Sequence, residues 1–226
     1  MSFEGFSLQP KIEVESNFID FLPEEFKSNP LAYFKEKGVN IKSGEPTYDE
    51  LGVINEDPTS VKDLPVWTNS IGQTLIPVAK RVNTEKAQIK KNADPFYEYK
   101  VMEIIQKLGL PGPRPIVKVE QSGVHIIVME RVSGIRWVNN DIRFLKERGY
   151  STDDLAKLEA EADEMMISLS KKYEKAGIIR KWKLRDMIFD VDIESKKLKS
   201  LTPVDWERTK LDLAKITEAR VEPGKA

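Results

Sequence analysis

Cysteine is absent from the 226 residues, which excludes disulfides and a thiol nucleophile. Histidine occurs once, as His125, inside an apolar run. A single imidazole nearly excludes a zinc site, a Ser-His-Asp triad and a histidine general base. His125 therefore reads as a packed or strand-surface residue. An excess of charge of one sign is also missing, since 36 Lys plus Arg face 37 Asp plus Glu. Such a balance creates no global field to draw nucleic acid. No apolar run has the length of a membrane span, and the first residues lack a basic segment followed by an apolar one. A soluble, cytoplasmic protein without a membrane partner is expected.

What is present is a succession of strands and helices, an α+β pattern. Residues 1–44 read as an N-terminal extension. Asn29-Pro30 predicts a helix start there, with Gly38 as its end, and Phe26, Tyr33 and Phe34 should fasten the extension to the body. A strand-rich region, residues 45–132, follows. Strands are expected at Leu51–Asn55, Leu64–Asn69 and Thr74–Val82. Helical spacing of Tyr97, Val101, Ile104, Ile105 and Leu108 predicts a helix over 95–108. Gly109 and the prolines at 111, 113 and 115 then stop it. Arg114–Glu120 and Val124–Val132 form a hairpin around Gln121-Ser122-Gly123. The remaining region, 133–226, opens with a linker and is mainly helical. Ser151 and Asp154 have the spacing of a capping box ahead of one long apolar stripe. Met187–Ile193 and Leu198–Val204 alternate as a hairpin, and Trp206–Arg220 reads as a last helix.

Four motifs in this order suit phosphoryl transfer, which needs positioning and charge neutralisation more than covalent chemistry. Lys80 ends Ile76-Pro77-Val78-Ala79-Lys80. Glu98 lies in Tyr97-Glu98-Tyr99-Lys100, eleven residues before the glycine of Gly109-Leu110-Pro111-Gly112-Pro113-Arg114-Pro115. Val124–Gly134 contains Met129-Glu130-Arg131-Val132, an extended segment able to offer backbone groups to a flat ligand. Val204-Asp205-Trp206-Glu207 closes the second hairpin. Together these residues resemble the protein-kinase-like superfamily, in particular atypical RIO-type and aminoglycoside-phosphotransferase-like kinases, with the features of a degenerate member.

That resemblance implies a two-lobed kinase-like fold with a reduced helical C-terminal lobe. It implies ATP and Mg²⁺ as cofactors, with Lys80 and Glu98 on the nucleotide phosphates. Adenine would lie beside Met129 and meet the Glu130 carbonyl and the Val132 amide. Asp205 and Asp186 would hold the metal, and Lys80 and Asp186 would serve catalysis. For Asp205 a helix cap is the competing role. The phosphoryl acceptor, a protein or a small molecule, stays open.

Two departures from the family pattern bear on activity. No glycine-rich loop is present; Asn55-Glu56-Asp57-Pro58-Thr59-Ser60 stands in its place, with the Thr59 and Ser60 hydroxyls as phosphate contacts. The catalytic loop admits two registers. If the hairpin begins at Met187, Asp186 takes the family's asparagine position, and Lys181 or Trp182 falls where the base belongs. If Leu184-Arg185-Asp186 is the His-Arg-Asp equivalent, Asp186 is the base and Asp190 a metal ligand. The resemblance implies an atypical ATP-dependent phosphotransferase, and these departures leave as the alternative a catalytically inactive pseudokinase acting as a protein-binding or scaffolding module. Arg180, Lys181, Lys183, Arg185, Lys196, Lys197 and Lys199 read mainly as solvated surface. As a patch for nucleic acid or an acidic protein partner, the segment 180–199 would use Trp182 for stacking.

Overall fold

A computed structural model describes residues 10–39, 47–48, 54–56, 61–82, 94–206 and 208–221. The chain is mixed α and β with antiparallel sheets. It divides into two compact units. One comprises Met1–Lys100 with Arg114–Arg131, and the other Val101–Pro113 with Val132–Ala226. Among the described residues, no helix is long and apolar enough to cross a membrane.

The first unit is built on a five-stranded antiparallel sheet. Its strands run Lys11–Val14, Pro115–Gln121, Val124–Glu130, Pro77–Arg81 and Val61–Asp63 in spatial order. Successive residues of a strand face opposite sides. Ala79, Ile126 and Val128 therefore turn to one side and join a core with Phe26, Phe34, Tyr33 and Trp67. The Trp67 indole donates a 2.9 Å hydrogen bond to the Tyr33 hydroxyl within that core. The expected anchoring role of Phe26, Tyr33 and Phe34 thus has a physical basis, since Phe26 and Phe34 are fully buried. Asn29 caps the Pro30–Glu36 helix by accepting from the Ala32 amide, and Gly38 follows with φ +73°.

The second unit has its own core. Leu145, Tyr150, Leu155 and Leu158 pack with Ile142, Trp137, Val191 and Leu198. Its long helix, Thr152–Lys175, starts at a complete capping box between Ser151 and Asp154. The Lys196 ammonium and the Ser151 groups hold the Asp154 carboxyl well below the usual carboxylate range. Met187–Asp192 and Lys197–Pro203 pair as the expected hairpin, with Met187 opposite Pro203.

Several expectations need correction. The strand predicted over 74–82 breaks at Ile76 into Thr74–Leu75 and Pro77–Arg81, and Val61–Asp63 and Trp67–Thr68 stand where Leu64–Asn69 was expected. The expected linker contains the Asn139–Glu147 helix. The last helix spans Leu213–Val221 rather than beginning at Trp206. Residues Lys210–Leu211 instead pair with Ile178–Ile179, which consumes the chain that a longer helix would need. Residues 51–53, 57–60 and Glu207, including Thr59 and Ser60, lie outside the described residues.

Gly177 makes the last pairing possible. Its φ is +84°, and a Cβ there would stand 2.6 Å from the Asp212 carbonyl oxygen. The Gly177 carbonyl in turn accepts the Asp212 amide at 2.8 Å. Gly177→Ala should therefore lower unfolding stability by about 2 kcal/mol or more, through backbone strain plus displacement of a backbone neighbour. Gly72, at φ +79° with nothing near its Cβ position, provides the control. Gly72→Ala should cost about 1 kcal/mol, the left-handed backbone penalty alone. Urea denaturation of both variants checks the difference.

Candidate functional site

In the first unit, strand alternation places Lys80 on the side away from the aromatic core. Lys80 lies directly across from Ile127, and Val78 across from Met129. Lys80 and Met129 therefore share one face of the sheet. The Tyr97–Lys107 helix supplies Glu98 from its first turn. There a carboxylate also complements the helix dipole. The Lys80 ammonium lies 2.8 Å from a Glu98 carboxylate oxygen, with the two side chains only 11% and 6% exposed. An ammonium buried to this degree needs an anion, and Glu98 provides it.

The segment after Met129 is pinned through its backbone. The Glu130 amide donates to the Arg114 carbonyl and the Arg131 amide to the Ile76 carbonyl, both at 2.8 Å. The Glu130 carboxylate is engaged by Arg114, with one Nη2–Oε1 contact of 2.7 Å. Met129 is buried. The second unit resumes at Val132.

The second unit brings Asp186 and Asp205 together. A short 3-10 turn, Leu184–Asp186, leads directly into the strand that starts at Met187. The hairpin register sets residue 186 beside residue 204, and the Val204 amide donates to the Asp186 carbonyl at 3.0 Å. Asp205 follows at once. The strand begins at Met187, which is the condition for the register that gives Asp186 the asparagine position. Asp190 lies farther along that strand, opposite Ser200, and is exposed. Asp205 does not cap the next helix. Asp212 does, accepting from the Lys215 amide at 3.3 Å.

Both carboxylates meet one guanidinium. Arg180 Nη2 lies 2.9 Å from Asp205 Oδ2 and 3.4 Å from Asp186 Oδ2. The Arg180 side chain is only 3% exposed. Its charge also sits 5.0 Å from the centre of the Trp182 ring, a cation–π contact. Trp182 packs edge-on against Trp206 at 4.9 Å and tilts against Tyr173.

The basic segment 180–199 is accordingly not one solvated patch. The Arg180 side chain is turned inward, and Trp182 is buried in an aromatic cluster, so its ring is not presented for stacking on a base. Lys196 donates to the Gly149 carbonyl and to Asp154, and Lys199 lies 3.4 Å from Asp192. Lys181, Lys183, Arg185 and Lys197 keep exposed positions. His125 lies in the Val124–Glu130 strand with its ring edge-on to Phe96, the packed role expected of it.

Arg180 is the residue that sequence reasoning missed. A signal for it existed: two aspartates expected to converge require a cation, and an arginine stands six residues before the first.

A metal does not fit Asp186 and Asp205 as they stand, because a guanidinium already lies on both. Among the described residues, no group of three or more His, Asp or Glu side chains could hold a metal ion.

Removing one partner of a buried ion pair leaves the other uncompensated. Lys80→Ala should therefore cost about 3–5 kcal/mol of stability. The double variant Lys80→Met with Glu98→Leu should recover much of that loss, as measured by chemical denaturation in a double-mutant cycle. A double-variant loss equal to the sum of the two single losses would show that Lys80 and Glu98 are not coupled.

Compared with known proteins, the sequence matches no family model and no curated protein.

Proposed function

We propose that this chain is a kinase-like protein that binds ATP without transferring its terminal phosphoryl group, and acts as a protein-binding or scaffolding module. The observation that carries the nucleotide part is the buried Lys80–Glu98 pair. A strand lysine held by a helix glutamate is the arrangement that orients an ammonium toward nucleotide phosphates in kinases. The succession of strand, helix and hairpin around it supports the same reading. Met129 on the Lys80 face, followed by the pinned Glu130–Arg131 backbone, suits an adenine ring.

The inactive part rests on the second unit. With the strand starting at Met187, the base position falls to Lys181, which is exposed, or to Trp182, which is packed among aromatic rings. An ammonium at neutral pH has no lone pair to accept the acceptor's proton, and an indole offers none.

An ATP-dependent phosphotransferase is the second reading, and one observation favours it. Asp186 and Asp205 converge on a single cation, as two ligands of Mg²⁺ would. In that reading Lys80 would orient the terminal phosphate toward a protein or small-molecule acceptor.

Thermal unfolding with and without ATP, followed by assay for ADP, separates the two readings. ATP should raise the transition temperature of the wild type and leave that of Lys80→Ala at its own baseline. ADP should not accumulate even at high protein concentration. ADP formation that disappears in both Asp186→Ala and Asp205→Ala would establish the transferase instead. No shift at millimolar ATP would remove the nucleotide reading.

A further inference from the structure

Asp186 and Asp205 form the kind of carboxylate pair that a divalent cation would use, yet each already faces Arg180 Nη2. That guanidinium cannot yield by losing its proton, because arginine stays charged in proteins. Nor is it a surface group that swings aside. Its side chain is 3% exposed, and its charged head is seated against the Trp182 ring. Trp182 is itself locked between Trp206 and Tyr173.

The backbone holds the same arrangement. Ile178–Ile179 pairs with Lys210–Leu211, which fixes the point where residue 180 leaves the strand. The Val204–Asp186 hydrogen bond fixes the two aspartates against each other. Mg²⁺ requires near-octahedral oxygen coordination at about 2 Å, and like charge repels it from a guanidinium.

We infer that Arg180 is a built-in cation that takes the place of a divalent metal at Asp186 and Asp205, so that the nucleotide this chain binds is metal-free. The nucleotide clause rests on the kinase-like reading above, whereas the exclusion of metal rests on the Arg180 geometry alone. Arg180 is a positioning residue here. It satisfies two carboxylates that would otherwise collect a divalent ion, and it removes the requirement for Mg²⁺ from the second unit.

The test uses the full chain titrated with Mn²⁺ alone, with unbound Mn²⁺ read by electron paramagnetic resonance. Wild type and Asp205→Asn should bind Mn²⁺ equally, both showing only the weak background of surface carboxylates. Arg180→Ala should gain one site per chain, and Arg180→Ala with Asp205→Asn should lose it again. A wild-type site that vanishes in Asp205→Asn would overturn the inference. So would an Arg180→Ala chain, folded by circular dichroism, that gains nothing. If Arg180→Ala does not fold, the comparison of wild type with Asp205→Asn decides on its own.

A parallel titration with ATP in EDTA and in Mg²⁺ tests the nucleotide clause. Equal affinity in the two conditions supports it, and binding only with Mg²⁺ refutes it. Absence of ATP binding in both would end the nucleotide reading while leaving the Mn²⁺ result intact.

Discussion

A guanidinium taken out of water must be met by anions, and the second unit is arranged around that requirement. Arg180 reaches its place because Gly177 permits a close crossing beside Asp212, and because Ile178–Ile179 then pairs with Lys210–Leu211. Its two anions arrive by another route, through the hairpin register that sets Met187 opposite Pro203. The aromatic cluster of Tyr173, Trp182 and Trp206 supplies the apolar wall that excludes water. The Arg180 side chain is 3% exposed, whereas Asp205 keeps 38% of its side-chain surface in contact with solvent, so loss of Arg180 leaves two carboxylates that water reaches in part.

The first unit solves the same problem differently. Lys80 stands on the side of the sheet opposite the aromatic core, where apolar neighbours would leave it stranded. Glu98, in the first turn of a helix, compensates that charge and gains from the helix dipole. A lysine ammonium remains a mobile point charge that can be shared with a phosphate. The Arg180 guanidinium, which meets both carboxylates through Nη2, is already committed. This contrast underlies the functional reading, in which the first unit keeps a group able to meet an anionic ligand and the second already pairs its two acids with one guanidinium of its own.

Much of this was legible in the residues. Asn29-Pro30, the Ser151–Asp154 box and the alternation across 187–204 each encode local structure, and local structure follows from local sequence. The partnership of Lys80 and Glu98 was legible because each occupied a position with a specific expectation attached. Other features depended on distant pairing. Trp206–Arg220 has helical spacing, but pairing of Lys210–Leu211 with Ile178–Ile179 overrides that preference. The Asn139–Glu147 helix carries no such local signal, because its N-cap residue is Val138, which makes no side-chain cap. Arg180 was hidden most deeply. Surrounded by lysines and another arginine, it read as surface, and only the folded hairpin shows that it alone of that group turns inward.

In the proposed reading a nucleotide binds this chain while Arg180 occupies the place of the metal. Calorimetric titration of ATP into the full chain in EDTA tests it most directly. A saturable site of one ATP per chain is expected, lost in Lys80→Ala and unchanged when Mg²⁺ replaces EDTA. Binding that appears only with Mg²⁺, and disappears in Asp205→Asn, would contradict it.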